Sequence, residues 1–561
     1  MSAHAAGAPV GEPRPADRIL LAGRVHSMLA PDEETRDRAV LIESGRIQGV
    51  VPRDTIRDFT GPATETVDLG DTTLLPGFVD PHAHVEVAAV SQHGVVDVRV
   101  PLCRNIGDVL RTLRAAVPRA RGRWIVAQGN LFFDKKLDDG RFPTRAELDA
   151  VSRDHAIVIR AGGHLSILNS TALELSGIGR GYEATQGSIT GKPTVERDER
   201  GEPTGIVMEM DNLIPFPRPD DHELLPALES GVRDMFTRHG VTTIGEISET
   251  VSGLRAFRAG IADGRIRSRI QAYLWVPGTL DLATACDPET LVSLGGDDPA
   301  RFGIRGVKVF SDGGFSAARA AIGTEYVHQP GSCGEVALGR DELLEIYRST
   351  QAAGLHLAVH ANGDRAQLEV CRALVEARER FGEHPQIRIE HAGNFVPDYA
   401  RLSSAWREAG IVPVPQPIFI RNFGEFVPEY VGDQAWTQQF PFRTMLADGW
   451  EISGSSDVWI GSDYHQTKPM RSVAATIDRL TFHGRALDPS QSIGVWQALR
   501  MHTHGGARAL GLHGELGSLA VGAHADLVAL DADPMSVRAE DLESIAAERV
   551  ILAGEDAPLP E

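Results

Sequence analysis

Short apolar runs that end in polar residues recur through the middle of this chain, and segments of helical periodicity separate them. Eight such runs are legible, at 73–80, 241–246, 270–275, 306–310, 355–360, 386–391, 411–416 and 450–457. Each has the length and apolar continuity of a buried strand. Between them, Leu343, Leu344, Tyr347 and Thr350 fall on one helical face, with Gly354 placed as a C-cap. Leu368, Cys371, Leu374 and Val375 repeat that spacing. Alternation of strands and helices predicts an α/β fold, and eight repeats predict a (β/α)8 TIM-type barrel. A doubly wound parallel sheet is the alternative, but no glycine-rich phosphate loop follows any strand.

The two ends of the chain carry a different pattern. Runs at 18–23, 39–45 and 46–51 alternate with turns, Ser44-Gly45 being a hairpin signal, and runs at 525–530 and 549–554 look alike. These predict a composite β-sandwich domain built from 1–75 plus 506–561, with the barrel occupying 76–505. Between the first and second barrel strands lie roughly 150 residues, far more than a loop holds. An inserted α+β subdomain at 88–238, over the barrel mouth, is the expectation.

Composition narrows the function classes. Of 561 residues, 42% are hydrophobic and 24% charged, and 56 Lys and Arg face 77 Asp and Glu for a net charge of −21. An acidic balance of that size opposes a nucleic-acid or anionic-membrane partner. The four cysteines have no ligand or redox spacing and read as reduced thiols of a cytoplasmic protein. Residues 1–18 lack the basic-then-apolar pattern of a signal peptide. The densest apolar stretch, 411–420, is interrupted by three prolines and is short of the ~20 residues of a membrane span. The expectation is a soluble cytoplasmic protein that acts on a small molecule, with a homo-oligomer left open.

The candidate chemistry sits at the ends of the predicted strands, where barrel enzymes carry their active sites. His82 and His84, at i and i+2 of an extended segment, point to the same side. Lys308 lies on the fourth strand, and His360, His391 and Asp457 end the fifth, sixth and eighth. Imidazoles and a carboxylate converging on one axis suit zinc or a related divalent ion. Asp457 is also the candidate general acid/base. Asp463 competes with it, but it lies in a glycine-rich loop and does not follow the strand directly. His164, after a Gly-Gly turn of the insertion, is a candidate for polarising a carbonyl. Gln416, Trp124, Phe133 and Trp459 are weaker substrate-contact candidates, and Phe132 belongs with the aromatic group. Asp364 and Arg365 read as loop anchors; His465, His502 and His504 read as peripheral.

Taken in order, Pro76–His84, Lys308–Gly314, His360–Ala366, Glu390-His391, Gln416-Pro417, Gly454–Asp457 and Ala525–Leu530 resemble the amidohydrolase superfamily, in the long branch that contains N-substituted formamide deformylase. The resemblance covers nearly the whole chain. It implies a zinc-dependent hydrolase acting on carbon–nitrogen bonds other than peptide bonds, with one or two metals. His82, His84 and Asp457 would hold the first and His360 and His391 the second. Lys308 would bridge them as N6-carboxylysine, since an ammonium has no lone pair for a cation whereas its carbamate has two oxygens. A Lys308 amine paired with Asp312, leaving one metal, is the other arrangement, and Glu246 is a fallback bridging carboxylate. The implied reaction is attack of metal-bound hydroxide on a small N-acyl or N-formyl amine, with Asp457 moving the protons. Deaminase chemistry, or hydrolysis of cyclic amides or carbamates, are the alternatives on the same scaffold. A scaffold that has lost its metal is a third reading.

Overall fold

A computed structural model describes residues 14–120, 122–184 and 192–559; the N-terminal stretch 1–13 and insertion residues 185–191 lie outside the described residues. Seven parallel strands form the barrel sheet: β1 (Phe78–Ala83), β2 (Val241–Ser248), β3 (Arg269–Trp275), β4 (Phe302–Phe310), β5 (His356–His360), β6 (Ile387–Glu390) and β7 (Val412–Val414). They neighbour one another in sequence order, as a singly wound barrel requires and a doubly wound sheet does not. Helices Arg340–Ala352 and Asp364–Phe381 bury Leu343, Leu344, Tyr347, Thr350, Leu368, Cys371 and Leu374 against it, and Gly354 takes a φ of +70°.

The eighth place is filled without a ladder. The segment 450–457, expected as a strand, closes the barrel as irregular chain. The Asp457 amide donates to the His82 carbonyl (2.8 Å) and the His84 amide to the Val458 carbonyl (2.8 Å). On the other side the neighbouring chain presents Pro413 and Pro415, which have no N–H to give. The hydroxyls of Ser453 and Ser455 donate instead to the carbonyls of Pro413 (3.4 Å) and Pro415 (3.0 Å).

The expected first strand, 73–80, also divides. Thr73–Pro76 pairs antiparallel with Leu527–Leu530 in a sheet that joins both ends of the chain, and β1 begins only at Phe78. Gly77 is the crossing point. A Cβ there would lie 2.3 Å from the Thr242 side chain, so any larger residue clashes. Leu20, Val40 and Ile42 from the N-terminal strands pack with Leu527 and Ile551 from the C-terminal ones in one apolar cluster. The bidentate pair Arg269–Asp526 (2.6 and 3.1 Å), buried on both sides, fastens this β-structure to the barrel.

The long segment after β1 folds into a six-stranded sheet running from Thr194–Arg197 at one edge to Val96–Asp97 at the other, with a separate apolar cluster on each face. Its Gly162-Gly163 turn, at φ of +73° and +75°, delivers His164 to the C-terminal mouth of the barrel. Below that mouth Tyr273, Trp275, Phe310 and Ala358 fill the interior, and Ala507, Leu510 and Leu512 pack against them in the same cluster. Among the described residues no helix is long and apolar enough to cross a membrane.

Candidate metal centre

Six predicted residues meet at this mouth. Nε2 of His82 lies 3.3 Å from Oδ1 of Asp457, and Nε2 of His84 lies 3.7 Å from the same oxygen. One ligand atom from each of the three lies within 4.8 Å of the other two. The His82 ring centre is 5.6 Å from that of His84 and 5.7 Å from that of His391, which in turn is 4.6 Å from His360. Lys308 is fully buried, with Nζ 3.3 Å from His82 Nε2. It makes no pair with Asp312, whose carboxylate instead accepts the backbone N–H groups of Ala321, Asn362 and Gly363 at 2.8–2.9 Å.

The backbone is strained where these groups are presented. His391 and Asp457 both occupy the left-handed region, at φ of +73° and +47°. Such conformations cost of order 1–3 kcal/mol each and cluster at functional sites. Both amides are held there, His391 N–H by the Val414 carbonyl (3.0 Å) and Asp457 N–H by that of His82.

The donor set fits a cation. Burial holds the imidazoles of His82, His84 and His360 well below their usual range and takes His391 down to about 3, so lone pairs are available. Acceptors behind the rings select the tautomer. Oε2 of Glu390 lies 2.6 Å from His82 Nδ1, and Glu249 bonds His84 Nδ1 at 3.1 Å. Gln416 Oε1 accepts from His391 Nδ1 at 2.7 Å, leaving Nε2 free to face its neighbours. For His84 and His391 this outer-nitrogen bonding is the arrangement that metal-ligating histidines need, and at His82 the Glu390 carboxylate stands close enough to serve as the charge partner. His360 differs: its Nδ1 is 3.1 Å from His391 Nε2, while its Nε2 faces the Asn362 amide (3.1 Å) and Asp312 (3.6 Å). Burial pushes the Asp457 carboxyl up to about 7 and the Lys308 amine down to about 8.

His164 also reaches the cleft, its ring 6.0 Å from that of His360. Its Nδ1 lies 2.9 Å from the fully buried Glu209, which also accepts the Gly314 amide at 3.2 Å. Burial would lower this imidazole, but the Glu209 carboxylate outweighs it and the net shift is upward. Trp459 lines the cleft and stacks on His84 at 4.3 Å.

Other candidates lie elsewhere. Gln416 is fully buried beneath His391 and does not face the mouth, because its amide is consumed by His391, Asn394, Val414 and Ser455. Phe133 sits in the insertion's own core, since the chain turns at Phe132 and sends only that ring to the cleft. Trp124 packs on Phe216 and lines a separate groove between insertion and barrel. Glu246 accepts the amides of Val85 (2.6 Å) and Glu86 (3.2 Å) at a helix start, which leaves it no bridging role. His502 is not peripheral but buried under Gly454, 2.9 Å from Ser472 Oγ. Asp364 and Arg365 do anchor the loop, through the Gly323 amide and the carbonyls of Cys333 and Gly334. Sequence reasoning passed over Glu209 and Glu249, which have no motif of their own. Glu390 stood beside His391, and its position two residues from Arg388 in β6 was the one usable signal.

With this geometry in hand, the sequence matches the amidohydrolase family over residues 65–556. It is similar to the N-substituted formamide deformylase of Arthrobacter pascens, at 27% identity over 92% of this chain and 94% of that protein. It is 25% identical to YtcJ of Bacillus subtilis (strain 168), whose own assignment as an amidohydrolase is provisional, over 95% of this chain and 98% of that one. Among solved structures, an uncharacterised metal-dependent hydrolase from Pyrococcus horikoshii OT3 superposes with a TM-score of 0.70 at 24% identity, covering 93% of this chain and 99% of that one.

Proposed function

Since the chain belongs to the amidohydrolase family, we propose that it is a zinc-dependent hydrolase that cleaves the carbon–nitrogen bond of a small N-acyl or N-formyl amine. The observation that carries this is the convergence of His82, His84 and Asp457 beside a buried Lys308 and the His360–His391 pair. The similarity to a formamide deformylase supports the choice of substrate class.

His82, His84 and Asp457 would hold one ion, and His360 and His391 a second. Lys308, whose buried Nζ has no carboxylate partner within ion-pair distance among the described residues, would as N6-carboxylysine supply two further oxygen ligands. A bound divalent ion polarises a carbonyl and lowers the pKa of water from about 15.7 to about 7. The chain supplies the rest. Asp457, within reach of both the ligand cluster and the cleft, would take the proton from water and return it to the departing nitrogen. His164, held by Glu209, presents Nε2 across the cleft to the substrate's carbonyl oxygen. Trp459 and Phe310, stacked on His84 and His360, cover the imidazoles and keep bulk water from them.

The test combines metal analysis with a screen of formamides, N-acyl amino acids, carbamates and cyclic ureas on the zinc-loaded protein. Near two zinc per chain and turnover of the formamides are expected, and reconstitution without bicarbonate should lower the yield of active protein. Protein that binds no zinc, or zinc-loaded protein that hydrolyses none of these, overturns the proposal.

A further inference from the structure

The cleft above the metal centre joins two kinds of lining. The imidazoles, Asp457, His164, Asn362 and Asn394 share it with an aromatic group in which Phe132 and Phe419 both pack on Phe423. Among the described residues no lysine or arginine lines it, and of the two acids that do, Asp457 belongs to the metal group. The other, Asp463, is neutralised by the buried Lys136 at 2.5 Å. Asp463 and Gln466 are already engaged, by Lys136 and by Asn422, so the uncharged part of a substrate beyond its scissile bond has the Phe132, Phe419 and Phe423 rings to pack on.

Phe132 is the unusual member of that aromatic group. It comes from the insertion, whereas Phe419 and Phe423 follow β7. Its ring lies 5.1 Å from that of Phe423 and within 5.5–5.7 Å of Tyr430 and Phe426. Its backbone is left-handed (φ +56°, ψ +46°), an uncommon and costly state for an aromatic residue. Regular extended chain would send Phe132 and Phe133 to opposite faces of the insertion sheet. The left-handed turn sends Phe133 into the insertion core and Phe132 across into the barrel cleft. The segment is clamped on both sides, by the Leu131 amide on the Gly461 carbonyl (3.2 Å) and by Lys136 on Asp463. A ring held this firmly in a strained conformation is a fixed wall.

We propose that Phe132 is the specificity-determining residue of this site, setting the size of the uncharged apolar group that the substrate carries beyond its scissile bond. The inference rests on the hydrolase reading above. Its substrates are N-acyl amines whose far end is a hydrocarbon, and Phe132 of the insertion, packed on Phe423 of the barrel, sets how large that hydrocarbon is. Aliphatic discrimination in an apolar pocket runs at about 10–200-fold per methylene-sized misfit, so trimming the ring has a readable effect.

The experiment compares kcat/KM for N-formyl n-alkylamines from methyl to hexyl, and for N-formylbenzylamine, on zinc-loaded wild type, Phe132→Ala and Phe423→Ala. Zinc content is measured for each. In both variants the preferred chain should lengthen, with the ratio of the longest to the shortest amide rising about tenfold. Phe133→Ala, one residue away but in the insertion core, should leave that ratio as it is. If Phe132→Ala does not fold, Phe423→Ala tests the same contact from the barrel side. Parallel profiles in wild type and variants, or an equal shift in Phe133→Ala, overturn the assignment of Phe132 and leave the hydrolase reading intact. A wild type that hydrolyses none of the series overturns the hydrolase reading, and this inference with it.

Discussion

Glu390 offers the sharpest separation of metal binding from fold stability. It is fully buried between Arg388, whose Nε is 2.6 Å away, and His82, whose Nδ1 is 2.6 Å away. Glu390→Gln keeps the shape but has one acceptor oxygen for two donors, so one of them faces an amide N–H. Loss of the acceptor behind a metal-ligating histidine typically costs 10–100-fold in affinity, about 1.4–2.7 kcal/mol. A buried charge stripped of its partner costs about 3–5 kcal/mol. Here the lower end applies, because Arg388 keeps the Ala509 carbonyl (3.3 Å) and the Tyr273 ring (3.9 Å). The double variant Arg388→Met/Glu390→Leu removes both charges together, so it should recover most of the stability while His82 still lacks its acceptor. Zinc affinity is read by competition with a chelator, and stability by denaturant unfolding of the apo protein. The reasoning is refuted if Glu390→Gln binds zinc as tightly as wild type, or if the double variant regains affinity along with stability.

Asp457→Asn should keep part of its zinc and lose turnover by about 10²–10⁴-fold, because the amide holds the geometry but neither takes up nor releases a proton near neutral pH; steady-state kinetics beside metal analysis checks this. Asp526→Ala should destabilise the protein by about 3–5 kcal/mol through the stranded Arg269, with zinc affinity unchanged, as measured by unfolding and chelator competition. Asp533 gives a pH prediction away from the metal centre. Burial raises its carboxyl, but bonds from His26, Ser536 and the Met535 amide outweigh that and bring it down to about 2. A carboxylate lowered on folding stabilises above its unfolded pKa, about 3.9, and that contribution is lost as pH falls toward 2. Denaturant unfolding at a series of pH values should show this decline in wild type and a smaller one in Asp533→Asn.

The periodicity of apolar residues by itself determined the barrel and placed seven of its strands, because a strand buried on both faces must be a continuous apolar run whatever its neighbours. The same reasoning located His82, His84, Lys308, His360, His391 and Asp457, since chemistry in a barrel collects at strand ends. Three things were decided only by tertiary structure. Pro413 in the seventh strand and Pro415 just after it removed donors that an eighth ladder needed, a consequence visible only once that strand has a partner. Gly77 divided one apolar run between two domains, because Thr242 from a distant strand leaves no room for a side chain. The acceptors behind the imidazoles, Glu390, Glu249, Glu209 and Gln416, and the choice of Phe132 over Phe133, depend on which segments face one another across the mouth. Such contacts join residues that are remote in sequence and leave no periodic trace in it, so only the folded chain reveals them.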